Sequence, residues 1–504
     1  MKKLFLTACL VLSASVMFAQ FGKLSGIVNT TKNAAVTTKN AVQTQQSKGS
    51  SSSSNTASAK GSSASSSNGG EISENKGKVI YVSPNGAGRG ATGDSPATAY
   101  KNLQKAIENA ENGDIIRIAE GNYLGTNNAG YIEVNKWVTL EGGWNLEFTD
   151  RDPLKYITKI EPTQEQLGTN GSKAYINISG LDDVQSNKIL GTLIIDGFTL
   201  NMGLQTFYKN CDPSDPRTGC PNKNFETGRM EDATPPQVHH QLIHSDAAIA
   251  GNVVIRNCLF ANGTYFAIQI NTRRGEIEIY NNVIICNRYG NVRIDGWNKK
   301  TYKASHVNFH HNTVAFAWCR DKEQVDMGYG YEFMVGVNAD VHHNIFACNN
   351  YAALARTHAL SGPDAPIEKE RVTNVYDNAF FMNAADLQLP SKGGGKWTNV
   401  RVAEFEDVDE SVLPKYEGNF EMKNDDPFVK ALDPDYLEGF ATLKIVTSQS
   451  FDANSAANQY RQAHGLNMQG SETIRPSMYG NRYKLSYAYK LFGAKQGYGA
   501  QKIK

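Results

Sequence analysis

The sequence predicts an all-β fold, a single-stranded parallel β-helix, from three observations: a repeat, an alternation and an asparagine column. Six ten-residue segments superpose, and they are residues 193–202, 253–262, 277–286, 307–316, 339–348 and 373–382. Their third and eighth positions are always apolar, within stretches that alternate as half-buried strands do. The sixth position is Asn282, Asn312, Asn344 and Asn378 in the last four copies. Buried amides need partners, which stacked coils supply by placing asparagine over asparagine.

Composition excludes some classes of function. The chain has 504 residues, 51 basic and 50 acidic side chains, a net charge of +1 and 40% hydrophobic residues. This is enough apolar material for a large core. The charge balance argues against a nucleic-acid partner, because phosphate binding requires a basic excess.

The first 19 residues are typical of a signal peptide. Lys2 and Lys3 precede the apolar stretch 4–18, and Ala19 suits cleavage. The alternative is a lipobox ending at Cys9. We therefore expect a secreted protein, extracellular or at the outer cell surface, with the periplasm also possible. No transmembrane segment is expected after signal cleavage.

Residues 20–77 are expected to be a disordered serine-rich linker. Residues 47–70 contain 12 serines, a composition that behaves as flexible coil. The β-helix domain is predicted for residues 78–396, beginning with a strand at 78–82. The apolar spacing of Leu103, Ala106, Ile107 and Ala110 predicts an amphipathic helix that caps the first coil.

Residues 78–395 resemble the right-handed parallel β-helix superfamily, which has the pectate-lyase-like fold. The resemblance rests on YVSPNGAGRG at 81–90, on VTLEGGW at 138–144 and on Asp426-Pro-Phe428 near the end. It implies right-handed coils, an N-terminal capping helix and a C-terminal cap or extension over residues 397–504. It also implies a secreted bacterial protein. The sequence contains no complete motif of a named lyase family. Because this fold carries lyases, hydrolases, epimerases and adhesins, activity has to be argued from the site.

The resemblance implies that substrate binds on the sheet formed by the first strand of each coil. We expect these strands in residues 242–249, 266–274, 291–297, 332–339, 353–360 and 386–390. One outward column is then predicted to contain Gln269, Arg293, Gly336, Arg356 and Gln388. The other is predicted to contain Asp246, Asn271, Asp295, Asn338 and His358.

These columns favour a polysaccharide lyase, which removes a proton beside a uronate carboxylate and then eliminates the leaving group. Such chemistry needs a base and a positive charge. Arg293 is the first candidate for the base and Lys299 the second, and the further catalytic candidates are Arg273, Arg356 and His358. The candidates for substrate binding are Asn271, Trp297, Asn338 and Tyr265. Asp246 and Asp295 are candidate ligands for Ca²⁺.

Three further patterns complete the expectations. Cys211 and Cys220 lie in a long insertion and are predicted to form a disulfide. His240, His244 and Asp246 offer zinc ligands, with a plain strand as the alternative. The pairs His310-His311 and His342-His343 are expected to stack in a row with a structural role.

Two functions remain open on the sequence. The first is an enzyme that cleaves an acidic, uronate-containing polysaccharide by β-elimination, or less favourably by hydrolysis. The second is a non-catalytic β-helix that binds carbohydrate or a cell-surface glycan on a flexible tether. We expect a monomer in either case.

Overall fold

The computed structural model describes most of the chain after residue 71. The described residues are 72–163, 166, 173–183, 188–202, 241–296, 305–318, 328–333, 336–356, 372–390, 397–442, 453–454, 456–463, 465, 468 and 482–503. They all belong to one compact unit, residues 68–504. The predicted signal peptide lies outside the described residues. The folded part starts slightly earlier than predicted, because Asn75 donates to Thr139 Oγ1 and Glu74 pairs with Arg256.

The fold is an all-β parallel β-helix of three sheets, and each coil contributes one strand to each sheet. Sheet I holds the first strands: Ile132–Val134, Ile176–Ile178, Ile243–Ser245, Ile249–Ala250, Ile268–Arg274, Gly290–Gly296, Tyr329–Phe333, Ala352–Arg356 and Leu387–Pro390. Trp397–Val400 joins the edge of this sheet as an antiparallel strand. Sheet II holds the second strands: Val79–Ala87, Ile115–Ala119, Thr139–Trp144, Thr192–Asp196, Asn252–Arg256, Glu276–Tyr280, Ser305–His310, Val337–His342 and Thr373–Tyr376. Sheet III holds the third strands: Gly121–Asn122, Thr158–Ile160, Phe198–Asn201, Leu259–Ala261, Val283–Ile285, Thr313–Ala315, Ile345–Ala347, Ala379–Phe381 and Phe420–Glu421.

The register of the six repeats is confirmed in sheets II and III. The third positions pair in the series Ile195, Ile255, Ile279, Phe309, Val341 and Val375. The eighth positions pair in the series Leu200, Phe260, Ile284, Val314, Phe346 and Phe380. Both series are fully buried inside the solenoid. Alternation within each strand therefore places one face in the core.

The predicted asparagine ladder is present and longer than expected. Asn282 donates to Asn312, Asn312 to Asn344, Asn344 to Asn378, and Asn378 to Asn419. Each Oδ1 also accepts the backbone N–H of the residue one coil earlier. A second ladder, not predicted, follows sheet III, where Asn349 donates to Asn383.

The ends of the inner core are closed by two different segments. The predicted capping helix is Leu103–Asn109, and it buries Leu103, Ala106 and Ile107 against the first coils. At the other end, Phe405 from the 3₁₀ helix Val402–Asp407 packs on Phe380, with ring centroids 5.8 Å apart.

The rest of the C-terminal region lies alongside the solenoid. Its helices are Pro427–Ala431, Pro434–Thr442, Ala456–Ala463 and Leu485–Ala488, followed by the 3₁₀ helix Tyr489–Leu491. They form a second apolar core with the outer face of sheet III, where Phe316 meets Tyr436 and Tyr483. The described residues of this C-terminal region therefore cover a side of the solenoid as well as its end. No helix among the described residues is long and apolar enough to cross a membrane.

One first strand is displaced from its predicted place. The strand expected within residues 332–339 is Tyr329–Phe333, and Val337 already begins the next strand of sheet II. Only three residues separate Phe333 from Val337, fewer than separate the corresponding strands of the coils before and after. The residues after 336 therefore belong to sheet II.

Candidate functional site

A continuous outward column crosses sheet I. Strand pairing aligns Glu133, Asn177, His244, Gln269, Arg293, Glu332, Ala355, Gln388 and Asn399. Glu332, Ala355 and Gln388 are buried, whereas Gln269 and Arg293 are partly exposed. The accessible part of this column, with the second outward column of Asn271 and Asp295, is called the sheet I strip.

Arg293 is held between two carboxylates on the strip. Its Nε lies 3.0 Å from Asp295 Oδ2, and its Nη1 lies 3.8 Å from Glu332 Oε2 on the next coil. Burial lowers the pKa of Arg293, but Glu332 and Asp295 outweigh it and leave that pKa raised. The geometry therefore keeps Arg293 protonated and opposes the role of base that the sequence predicts for it.

Asp295 retains its proton more strongly than an ordinary aspartate. Burial raises its pKa, and the attraction of Arg293 offsets this only in part. Its side chain is still 20% exposed, so it can reach a ligand on the strip. A carboxyl group with a raised pKa is suited to donate a proton.

Asp246 has the opposite character. Burial raises its pKa, but the hydrogen bond from Asn177 at 2.9 Å and the charge of Lys173 outweigh this and lower it. The pairing of sheet I shifts by two residues between His244 and Ile249, so Asp246 lies in a bulge. Bulges re-aim side chains, and the Asp246 side chain is 40% exposed.

His244 lies beside Asp246, with Nδ1 3.5 Å from Oδ1. Burial lowers the pKa of His244 despite the neighbouring carboxylate. The imidazole is therefore neutral at pH 7 and has a lone pair available to accept a proton.

Aromatic rings border one edge of the strip. Tyr265 and Tyr289 lie in the turns that lead into successive strands of sheet I, with ring centroids 4.4 Å apart. Phe266 packs against both tyrosines, and the Arg293 guanidinium lies 5.8 Å from its ring centre. Tyr265 and Tyr289 are partly exposed, which suits stacking against a sugar ring.

The two candidate Ca²⁺ ligands do not fit a shared ion. Asp246 points to Asn177 and Lys173 on one side, and Asp295 points to Arg293 on its own strand. One coil lies between them, whereas ligands must approach Ca²⁺ to about 2.3–2.6 Å. Among the residues that the structure describes, no group of three or more His, Cys, Asp and Glu side chains is arranged to hold a metal.

The structure separates other candidates that the sequence groups together. Asn338 lies on sheet II, paired with His306, so its predicted place on sheet I is wrong. Arg356 pairs with Phe333 and not with Glu332, so it is one position out of the Arg293 column, and it is buried. Arg273 has outward parity but is also buried. Trp297, Lys299, His358, His240, Cys211 and Cys220 lie outside the described residues.

Sequence reasoning missed Glu332, Asn177 and the role of His244 on this face. Glu332 would have been found if the alternation Tyr329-Gly-Tyr331-Glu-Phe333 had been taken as a strand. Asn177 and His244 belong to short strands of three residues, which carry too little alternation to set their register.

Sheet II carries a second polar cluster on its outer face. His310 and His342 stack along the sheet, as the sequence predicts, and Tyr280 and Tyr376 extend the row, with ring centroids 4.9–5.0 Å apart. Burial and neighbouring imidazoles lower the pKa of His310 to about 3, and mainly burial lowers that of His342 to about 4.

Comparison with known proteins yields likenesses among solved structures. No family model matches the chain, and no curated protein matches it. A solved structure of a family 28 exopolygalacturonase from Yersinia enterocolitica is similar at 12% identity with a TM-score of 0.27. The match covers 62% of this chain and 55% of that one, so the chain spans about half the length of that enzyme. The parallel β-helix of this protein is established by its own sheet topology.

Proposed function

We propose that this protein is a carbohydrate-active β-helix that hydrolyses a polysaccharide bound along the sheet I strip. The observation that carries the proposal is the pair Asp246 and Asp295, whose pKa values are shifted in opposite directions. Asp295 acts as the general acid, and Asp246 acts as the base that activates water. Pairs of carboxyl groups with opposed shifts are a common basis for assigning acid and base.

The spacing of the pair bears on the stereochemistry of the hydrolysis, because it is too wide for a retaining pair, whose carboxyl groups lie about 5–5.5 Å apart. Adjacent coils lie about 4.8 Å apart, so two coil steps place the backbones of Asp246 and Asp295 about 9.6 Å apart. Inverting glycosidases hold their two carboxyl groups about 6.5–9.5 Å apart, which leaves room for the attacking water. The backbone spacing is slightly above this range, and Asp246 is hydrogen-bonded to Asn177 on the side away from Asp295. An inverting reaction therefore requires the Asp246 side chain to turn toward Asp295 when substrate binds.

The net charge of the sheet I strip indicates which charge a bound polysaccharide can carry. Among its described side chains, the carboxyl groups of Glu133 and Asp295 outnumber the single cation Arg293, and the buried Glu332 lies 3.8 Å from that cation. This balance favours a neutral or weakly acidic polysaccharide over a densely charged one.

β-Elimination is the second candidate, and neutral His244 is the observation that favours it. His244 would take the proton beside a uronate carboxylate, and Arg293 would neutralise that carboxylate. The acidic polysaccharide and the β-elimination that the sequence predicts belong to this candidate.

The test is incubation with a panel of neutral and uronate-containing polysaccharides. Hydrolysis gives new reducing ends without absorbance near 235 nm, and elimination gives both. We expect Asp295→Asn and Asp246→Asn each to lower kcat at least about a hundredfold. Glu278→Gln, an acidic position on the outer face of sheet II, is the matched control and should leave the rate unchanged.

Full activity in both aspartate variants would contradict the hydrolase assignment. Absorbance at 235 nm that disappears in His244→Ala would establish elimination in its place. Binding of a glycan without turnover would support the non-catalytic alternative.

A further inference from the structure

Arg461 is a buried cation that lacks a carboxylate partner among the described residues. It lies on the helix Ala456–Ala463 and is only 6% exposed. Its Nη1 donates to the amide Oδ1 of Asn458 at 3.1 Å, and its Nε is buried with no hydrogen-bond partner. No carboxylate among these residues is close enough to shift the pKa of the guanidinium.

The charged group that acts on Arg461 is a second arginine. Burial lowers the pKa of Arg461, the charge of Arg401 lowers it further, and the pKa is left at about 10. Arg461 therefore remains a cation at pH 7. The neighbouring Cys348 does not balance this charge, because burial raises the pKa of its thiol and keeps it neutral.

Arg401 places the pair at the turns that lead from sheet III to sheet I. Its Nη1 donates to the carbonyl of Asn383 at 2.8 Å and lies 3.9 Å from Asp386 Oδ1. Asn383 and Cys348 follow successive strands of sheet III. The Arg401 side chain is 29% exposed, so the pair is not sealed from solvent.

We propose that Arg461 and Arg401 form a site that binds an oxyanion at these turns. A guanidinium does not lose its proton at neutral pH, and an unpaired buried charge is strongly destabilising. A bound anion is the compensation that remains for Arg461. This site is separate from Asp246 and Asp295 and exists whether or not the protein hydrolyses a polysaccharide.

The free edge of the Arg461 guanidinium defines the class of ligand. Nε–H and Nη2–H lie on one edge and point the same way, which suits two oxygens of a carboxylate, sulfate or phosphate. Asn458 occupies only Nη1, and no other described residue bonds to this guanidinium. A free inorganic ion or the acid group of a sugar can supply this chemistry.

Three substitutions isolate the contribution of the guanidinium. Arg461→Met keeps an unbranched apolar stem and removes the charge. Arg461→Lys keeps the charge and loses the two-pronged edge. Lys430→Met removes an exposed cation from the helix Pro427–Ala431 and is the matched control for the loss of one positive charge.

The experiment is thermal melting and calorimetry of the full chain with sulfate, phosphate or glucuronate, at an ionic strength held constant with chloride. We expect a saturable rise in the melting temperature and one anion bound per chain. Arg461→Met should abolish the saturable rise, and Arg461→Lys and Arg401→Met should each weaken the affinity at least about tenfold. Sulfate also stabilises proteins by exclusion from their surface, but that effect does not saturate and should persist in Arg461→Met.

The three anions distinguish the source of the ligand. Tighter binding of sulfate or phosphate would identify a free inorganic ion, and tighter binding of glucuronate would identify an acidic sugar. Lys430→Met should bind the preferred anion as the wild type does. The absence of a saturable response to all three anions would overturn the proposal. An unchanged affinity in Arg461→Met or Arg461→Lys, shown to be folded by circular dichroism, would also overturn it.

Discussion

At the scale of single residues, neighbouring carboxylates decide which basic groups stay charged. Arg293 lies between Asp295 and Glu332, and His306 lies between Glu276 and Asp340. The His306 nitrogens are 2.9 and 2.8 Å from the two carboxylate oxygens. Hydrogen bonds to Asp340 and Glu276 raise the pKa of His306 to about 9. Both residues are therefore cations whose charge is paired with carboxylates of the protein itself.

We predict that His306 makes the protein less stable in alkali. Its folded pKa exceeds the ordinary value of 6.5, so its contribution is complete below pH 6.5 and is lost as the pH rises through about 9. We expect a loss on the order of 1–2 kcal/mol between these limits, allowing for solvent screening. Thermal melting of the wild type and of His306→Gln at pH 6 and pH 9.5 checks this. The gap between the two proteins should be wide at pH 6 and narrow at pH 9.5, and a constant gap would contradict the prediction.

At the scale of elements, the turn between sheets II and III is stabilised by side-chain amides. Asn344 is fully buried, and its Nδ2 donates to the carbonyls of Phe309 and His342 and to Asn378. Its Oδ1 accepts from Asn312 through both the backbone and the side chain. The ladder therefore satisfies the backbone where each coil changes direction.

We predict that Asn344→Ala destabilises the protein by about 2–4 kcal/mol, because it leaves several buried polar groups without partners. Asn308→Ala, on the outer face of the neighbouring coil, should cost less than about 1 kcal/mol. Urea denaturation of both variants measures the difference. Equal losses would mean that the ladder contributes no more than surface amides do.

At the scale of the whole molecule, the C-terminal region gives sheet III a second core. Tyr483 is buried there, and its backbone exchanges hydrogen bonds with the Asn262 side chain beside sheet III. Cys286 and Cys348 are buried under the same segment, whereas Cys258 is inside the solenoid. Burial raises the pKa of the Cys286 thiol to about 11 and that of Cys258 to about 12.

We predict that Tyr483→Ala loosens the C-terminal region and destabilises the protein by about 3–5 kcal/mol. Cys286 and Cys348 should then react with a thiol reagent, and Cys258 should stay protected as the internal control. Tyr483→Phe keeps the ring and should leave both thiols slow to react. Peptide mapping after labelling identifies each cysteine. Simultaneous labelling of Cys258 would show that the solenoid itself had opened.

Prediction from sequence succeeded for strand register within the repeats, where the defining residues lie within ten positions of one another. The strands around Asn282, Asn312, Asn344 and Asn378 were placed in their true register, because two apolar positions and one asparagine recur in every copy. The sequence placed Asn338 on the wrong sheet. The segment before the displaced strand Tyr329–Phe333 is long, so the spacing of the repeats no longer fixes where that strand begins. Prediction from sequence also missed the proximity of Glu332 to Arg293, because that proximity depends on the same register.

The sequence by itself determined the stacking of coils, the inner core and the ladder. These follow from alternation and from amides that must be paired, and both are encoded within ten residues. Only the tertiary structure decided which charges meet on sheet I, since Asp246, Arg293 and Glu332 come from three coils separated by unequal loops. Only the tertiary structure placed the described C-terminal helices against sheet III, because the hydrophobic effect is non-directional and does not specify which apolar face a helix will pack on.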